Sequence, residues 1–166
     1  MELTVILPER IVRRAKELGL DLESLVLDVV VWRLSLDPKE EVDVHLEIAE
    51  RFLKEGKRLI EEDPTQASEK LYKSAEECTK ALAIHFRLDD VLNKVRERGR
   101  WTVTDLEKVI RRAVKELGSE VESWWDTANY LHIWGFHEAK LDSEAVRSRL
   151  KYVEKFLSTV KKVVTK

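Results

Sequence analysis

Glycine and proline are scarce and cysteine is nearly absent: the 166 residues hold five Gly, three Pro and one Cys. So few chain-breakers exclude a collagen-like or low-complexity chain, and the lone Cys78 excludes an internal disulfide. No apolar run reaches the length of a membrane span and no signal-peptide pattern opens the chain, so the expected setting is cytoplasmic. Neither sign of charge dominates. Thirty Lys plus Arg face 32 Asp plus Glu, which removes the overall basic field that nucleic acid or an anionic membrane would call for. One Gln, two Asn and one Met beside 37% charged residues suit a protein from a hyperthermophile.

What is present is enough for a self-standing core: 43% of the residues are hydrophobic, and a chain of this size buries roughly two thirds of its unfolded surface. The charge is unevenly spread. From Asp37 to Pro64 ten acids meet five bases, whereas from Lys140 to Lys166 eight bases meet three acids. These two ends are complementary, within one chain or between two copies.

Residues 1–36 read as strand, helix, turn, helix. Leu3, Val5 and Leu7 alternate with Glu2, Thr4 and Ile6, which fits a half-buried strand. Pro8 opens a helix, Gly19 stops it, and Asp21 caps a second carrying Leu22, Leu25, Val26, Val29, Val30 and Leu34. This segment resembles the ribbon-helix-helix family, whose paired strands read DNA across a dimer. The outward Glu2, Thr4 and Ile6 include no Arg or Lys, and Glu23 stands where phosphate would dock. DNA is therefore disfavoured, and a dimerisation or docking role is expected.

Residues 37–166 read as a bundle of four or five antiparallel helices. "DPKEE" at Asp37 and "DPTQA" at Asp63 each pair an Asp cap with Pro at the first helical position. Val42, Leu46, Ala49, Leu53, Gly56 and Ile60 mark one face; Leu71, Ala75, Cys78, Leu82 and Phe86 mark the next. Leu88 to Arg100 is weakly patterned and reads as a connector. Thr102 or Thr104 caps a helix that Gly118 stops, Ser119 caps another, and a final helix starts near Asp142.

The chemistry concentrates in "NYLHIWGFHEAKL", Asn129 to Leu141, which holds His132 and His137 among aromatics. On a straight α-helix His132 faces inward with Trp124, Trp125, Leu131 and Gly135, and His137 points about 140° away. A zinc pair needs histidines at i and i+4, so no metal site is expected from these two, and His45, His85 and Cys78 add no ligand spacing. His85 and Cys78, seven residues apart on one helix face, read as packed core. Aromatics at helical spacing ordinarily pack, but an exposed Trp134 or Phe136 would make base stacking available.

The hairpin "ASEKLYKSAEECTKALAIHF", then "WWDTANYLHIWGFHEAKL", then "DSEAVRSRLKYVEKFL", in that order, resemble the HEPN superfamily of helical bundles and, within it, the archaeal PaREP family, over about residues 37–165. The resemblance implies a homodimer that is either a metal-independent ribonuclease, often the toxin of a toxin–antitoxin pair, or a non-catalytic partner of a nucleotidyltransferase. The active members' motif is an Arg, four to six residues, then a His. His137 matches the His, but the Arg position holds His132, Leu131 or Tyr130. The leading expectation is thus a non-catalytic homodimeric interaction module associated with nucleotide or RNA through Arg147, Arg149, Lys151, Lys155, Trp134 and Phe136, with no cofactor. The alternatives are a metal-independent endoribonuclease using His137 and His132, and a DNA-binding regulator.

Overall fold

The computed structural model describes all 166 residues, and the chain divides into two compact units, Met1–Ser35 and Leu36–Lys166. The first holds α1 (Glu9–Glu17) and α2 (Leu22–Leu34). Gly19, at φ +65°, takes the left-handed turn that ends α1, and the Asp21 carboxylate accepts from the backbone N–H groups of Glu23 and Ser24 to start α2. The expected strand is absent: residues 1–8 carry no regular structure, and Leu3, Val5 and Ile6 are exposed. Alternation alone does not make a strand, because its backbone groups need a second extended segment, and the chain has none.

The second unit contains α3 (Pro38–Leu59), α4 (Pro64–His85), α5 (Asp89–Arg98), α6 (Val103–Leu117), α7 (Glu120–Tyr130), a π-helical turn (Leu131–His137) and α8 (Ser143–Val164). Asp37 and Glu40 close a reciprocal capping box on α3, Asp63 caps α4 and Asp142 caps α8. Thr102 and Asp105 form a second box on α6. Ser119 precedes α7 but makes no side-chain cap. Leu88–Arg100 is not a plain connector: ten of its residues form α5, which buries Val91, Leu92 and Val95 and ends at Gly99, φ +81°. Three apolar residues at helical spacing suffice once neighbouring helices cover them.

Helix α4 is the axis of the bundle, packed by α3, α6, α7, α8 and the π-turn, and buried on nearly every side. Gly56 brings α3 close, since a Cβ there would fall 2.8 Å from Leu71 Cδ2. Because α4 has almost no solvent face, its charged residues Glu69, Lys73, Glu77 and Lys80 are buried and need partners from other elements or from their own helix. The acid-rich and base-rich stretches do meet within the chain: Arg147 pairs with Glu61 and Lys161 with Glu50, joined by Lys57 Nζ to Glu154 Oε1 at 2.7 Å. No helix is long and apolar enough to cross a membrane.

Candidate functional site

His132 and His137 meet. From Leu131 the helix widens to π geometry, with the Glu138 N–H bonding the Ile133 carbonyl at 2.9 Å, five residues back. In such a turn residues i and i+5 take the stacked places that i and i+4 hold in an α-helix. His132 and His137 therefore share a face, with their Nε2 atoms 3.1 Å apart. The straight-helix expectation of opposed rings fails for this reason.

The turn also packs unusually closely on α4. Gly135 is pressed against α4 so tightly that a Cβ on it would sit 2.1 Å from Ser68 Oγ. Only glycine lets the turn approach α4, and the next α4 residue is Glu69. Its carboxylate accepts from His132 Nδ1 at 2.7 Å, so the acid that orients this ring comes from another helix. Tyr72, three residues after Glu69 on α4, stacks on the His132 ring at 4.0 Å between centroids, and Phe136 lies at 6.2 Å. Glu69 is buried, His132 keeps 26% of its side chain exposed, and His137 is exposed. The result is a graded chain from buried carboxylate through a half-buried imidazole to one open to solvent.

With the carboxylate accepting, His132 carries its proton on Nδ1 and offers a lone pair at Nε2. His137 then donates from Nε2 and presents an unprotonated Nδ1. A proton gained there leaves an imidazolium whose charge is balanced through His132 by Glu69, the logic by which a buried carboxylate supports a catalytic histidine.

Phe136 flanks both rings, 5.1 Å from His137 between centroids, and the other sequence candidates take no part in the hydrogen-bonded chain. Trp124 and Trp125 are core, Trp125 Nε1 donating to Glu107 at 2.6 Å. Trp134 is 46% exposed and packs near Tyr130, with 6.5 Å between ring centroids. Arg147 is held by Glu61, which raises its pKa. Arg149 covers the Tyr130 ring at 4.4 Å and donates to the Ala145 carbonyl, and Lys151 lies over its neighbour Tyr152. Lys155 is exposed, and its carbonyl accepts from Ser158. Much of the basic strip is thus engaged within the chain.

A second polar cluster escaped sequence reasoning. His45 Nδ1 lies 2.6 Å from Glu77 Oε2, and Lys80 Nζ lies 2.8 Å from Glu77 Oε1, all three side chains at most 3% exposed. Burial pushes the Glu77 carboxyl up, but Lys80 and His45 outweigh it and hold the group down at about 2. The i, i+3 spacing of Glu77 and Lys80 was a usable signal; the contact with His45, 32 residues away, was not. Cys78 is buried, which pushes its thiol up and keeps it unreactive, whereas His85 is exposed rather than core.

A family model described as the archaeal PaREP1/PaREP8 family matches residues 44–157, a span that includes α4, the π-turn and most of α8. The chain is 34% identical to a Sulfolobus solfataricus protein solved by crystallography in a structural-genomics programme, covering 73% of this chain and 93% of that one with a TM-score of 0.57. A solution structure of the same target matches at 34% identity over 72% of this chain and 87% of that one, with a TM-score of 0.53. No curated protein matches. Because the family model spans well over half of its length, the chain belongs to the archaeal PaREP1/PaREP8 family.

Proposed function

We propose that this protein is a HEPN-type endoribonuclease that works without a metal, with His137 as the proton-transfer residue and His132 and Glu69 as its support. The observation that carries the reading is the hydrogen-bonded chain Glu69–His132–His137. His137 Nδ1 takes the proton of an RNA 2′-hydroxyl. The 2′-oxygen bonds to phosphorus, the bond to the 5′-oxygen breaks, and that oxygen receives a proton from the imidazolium. The products are a 2′,3′-cyclic phosphate and a 5′-hydroxyl. π-helical turns are frequent at functional sites, which adds to the support.

The test is incubation of mixed RNA with the protein in chelator at elevated temperature, beside His137→Ala. Cleavage by wild type and not by the variant is expected. No cleavage by either overturns the reading and leaves the interaction module.

A specific observation favours that module as a homodimer. Tyr130, Ile133 and Trp134 are 41 to 48% exposed on adjoining turns, an apolar patch beside the histidines suited to a second copy. Trp134→Ala shifting the protein towards monomer in sedimentation would support it; an unchanged mass would remove it.

A further inference from the structure

The same two imidazoles have the geometry of a metal-ligand pair. Two nitrogens bound at about 2.0–2.1 Å to a tetrahedral ion stand roughly 3.3 Å apart. The Nε2 atoms of His132 and His137 stand 3.1 Å apart. Histidine ligands ordinarily give their other ring N–H to a carboxylate, which fixes the tautomer and leaves the ligating nitrogen unprotonated. Glu69 does this for His132 at 2.7 Å. Tyr72, stacked on His132, holds the ring plane. His137 is exposed, so an ion has an open approach and water can complete its coordination.

We propose that His132 and His137 form a binding site for a divalent cation of the zinc, nickel or copper class, with Glu69 as the outer carboxylate. Imidazole ligands select these ions over magnesium and calcium, which take oxygen. The ion takes the place of the proton shared between the two rings. That proton, which His137 carries on Nε2, shifts to Nδ1, the atom that the ribonuclease reading uses as base. The site stands on geometry alone; its consequence, that such ions inhibit cleavage and chelator restores it, rests on the ribonuclease reading.

The test is calorimetric titration of tag-free protein with zinc and with magnesium, read beside the imidazole NMR signals. Zinc should bind with one-to-one stoichiometry and perturb the His132 and His137 rings, whereas magnesium should do neither. His137→Ala, at an exposed position, should abolish binding. Glu69→Gln should weaken it by about 10- to 100-fold. No zinc binding at millimolar concentration, or equal binding by His137→Ala, overturns the proposal. Because no RNA is present, this result is independent of whether the protein cleaves RNA: binding without nuclease activity sinks only the ribonuclease reading, and inhibitable activity without binding at these rings sinks only the metal site.

Discussion

Gly135 and Ser68 approach so closely that a methyl group on the glycine would stand 2.1 Å from the serine hydroxyl and 2.5 Å from its Cβ. Ser68 cannot easily retreat, since its Oγ donates to the Pro64 carbonyl at 2.8 Å in the first turn of α4. This contact sets the depth at which the π-turn lies on α4, and so the reach of His132 to Glu69. Gly135→Ala should destabilise the protein by about 1–3 kcal/mol, the usual cost of overpacking, visible as a lower midpoint in denaturant. It should also break the coupling between the His132 and His137 ring signals. Wild-type stability in the alanine variant would show that the turn is not held by this contact.

The His45–Glu77–Lys80 cluster makes acid stability readable. Glu77 has its folded pKa held at about 2, below its ordinary value of 4.5. A depressed carboxylate contributes stability that is complete above the unfolded value and is lost as pH falls through the folded one. The loss therefore lies between about pH 5 and pH 2, and its size is on the order of 3 kcal/mol. Denaturant midpoints measured across that range should fall, and Glu77→Gln should flatten the fall. An equally steep decline in the variant would assign acid sensitivity to other carboxylates.

Removing the cation instead should be severe. Lys80→Met takes from the buried Glu77 carboxylate its ammonium partner, and breaking a buried pair on one side costs about 3–5 kcal/mol. The double variant Lys80→Met with Glu77→Leu should recover part of that loss, because an apolar pair of similar size leaves no unpaired charge. If Lys80→Met unfolds near the wild-type midpoint, the cluster is solvated and the argument fails.

The ends of helices were legible because their causes are local. Asp37, Asp63, Asp142 and Thr102 sit within three residues of the N–H groups they accept from. The periodic faces of α3, α4, α6 and α8 were legible for the same reason. Residues 1–7 were misread since a strand's partner is a long-range matter, and α5 was underread because its burial comes from neighbours. The candidate site was half visible. His132 and His137 stood out as a pair, but their meeting depends on a π-turn that packs through Gly135 against Ser68, and their carboxylate lies 63 residues from His132. No spacing rule within one helix could supply either.

Glu69 acts on His137 only through His132, so it is a positioning residue, and its removal should have a signature that plain unfolding lacks. In Glu69→Ala the His132 ring keeps its Tyr72 stack but loses the acceptor that fixes its proton on Nδ1. The imidazole is then free to protonate at Nε2 and to present a donor, not a lone pair, to His137. Under the ribonuclease reading kcat should fall by up to about 10²–10⁴, the span of a general acid–base contribution, with KM little changed because Glu69 is buried and touches no substrate. The pH–rate profile should move as well. Glu69→Asp, which keeps the charge on a shorter arm, should recover part of kcat and shift the profile back towards wild type. A variant whose activity falls only in proportion to its folded fraction, with an unmoved profile, would reduce Glu69 to a packing residue of α4.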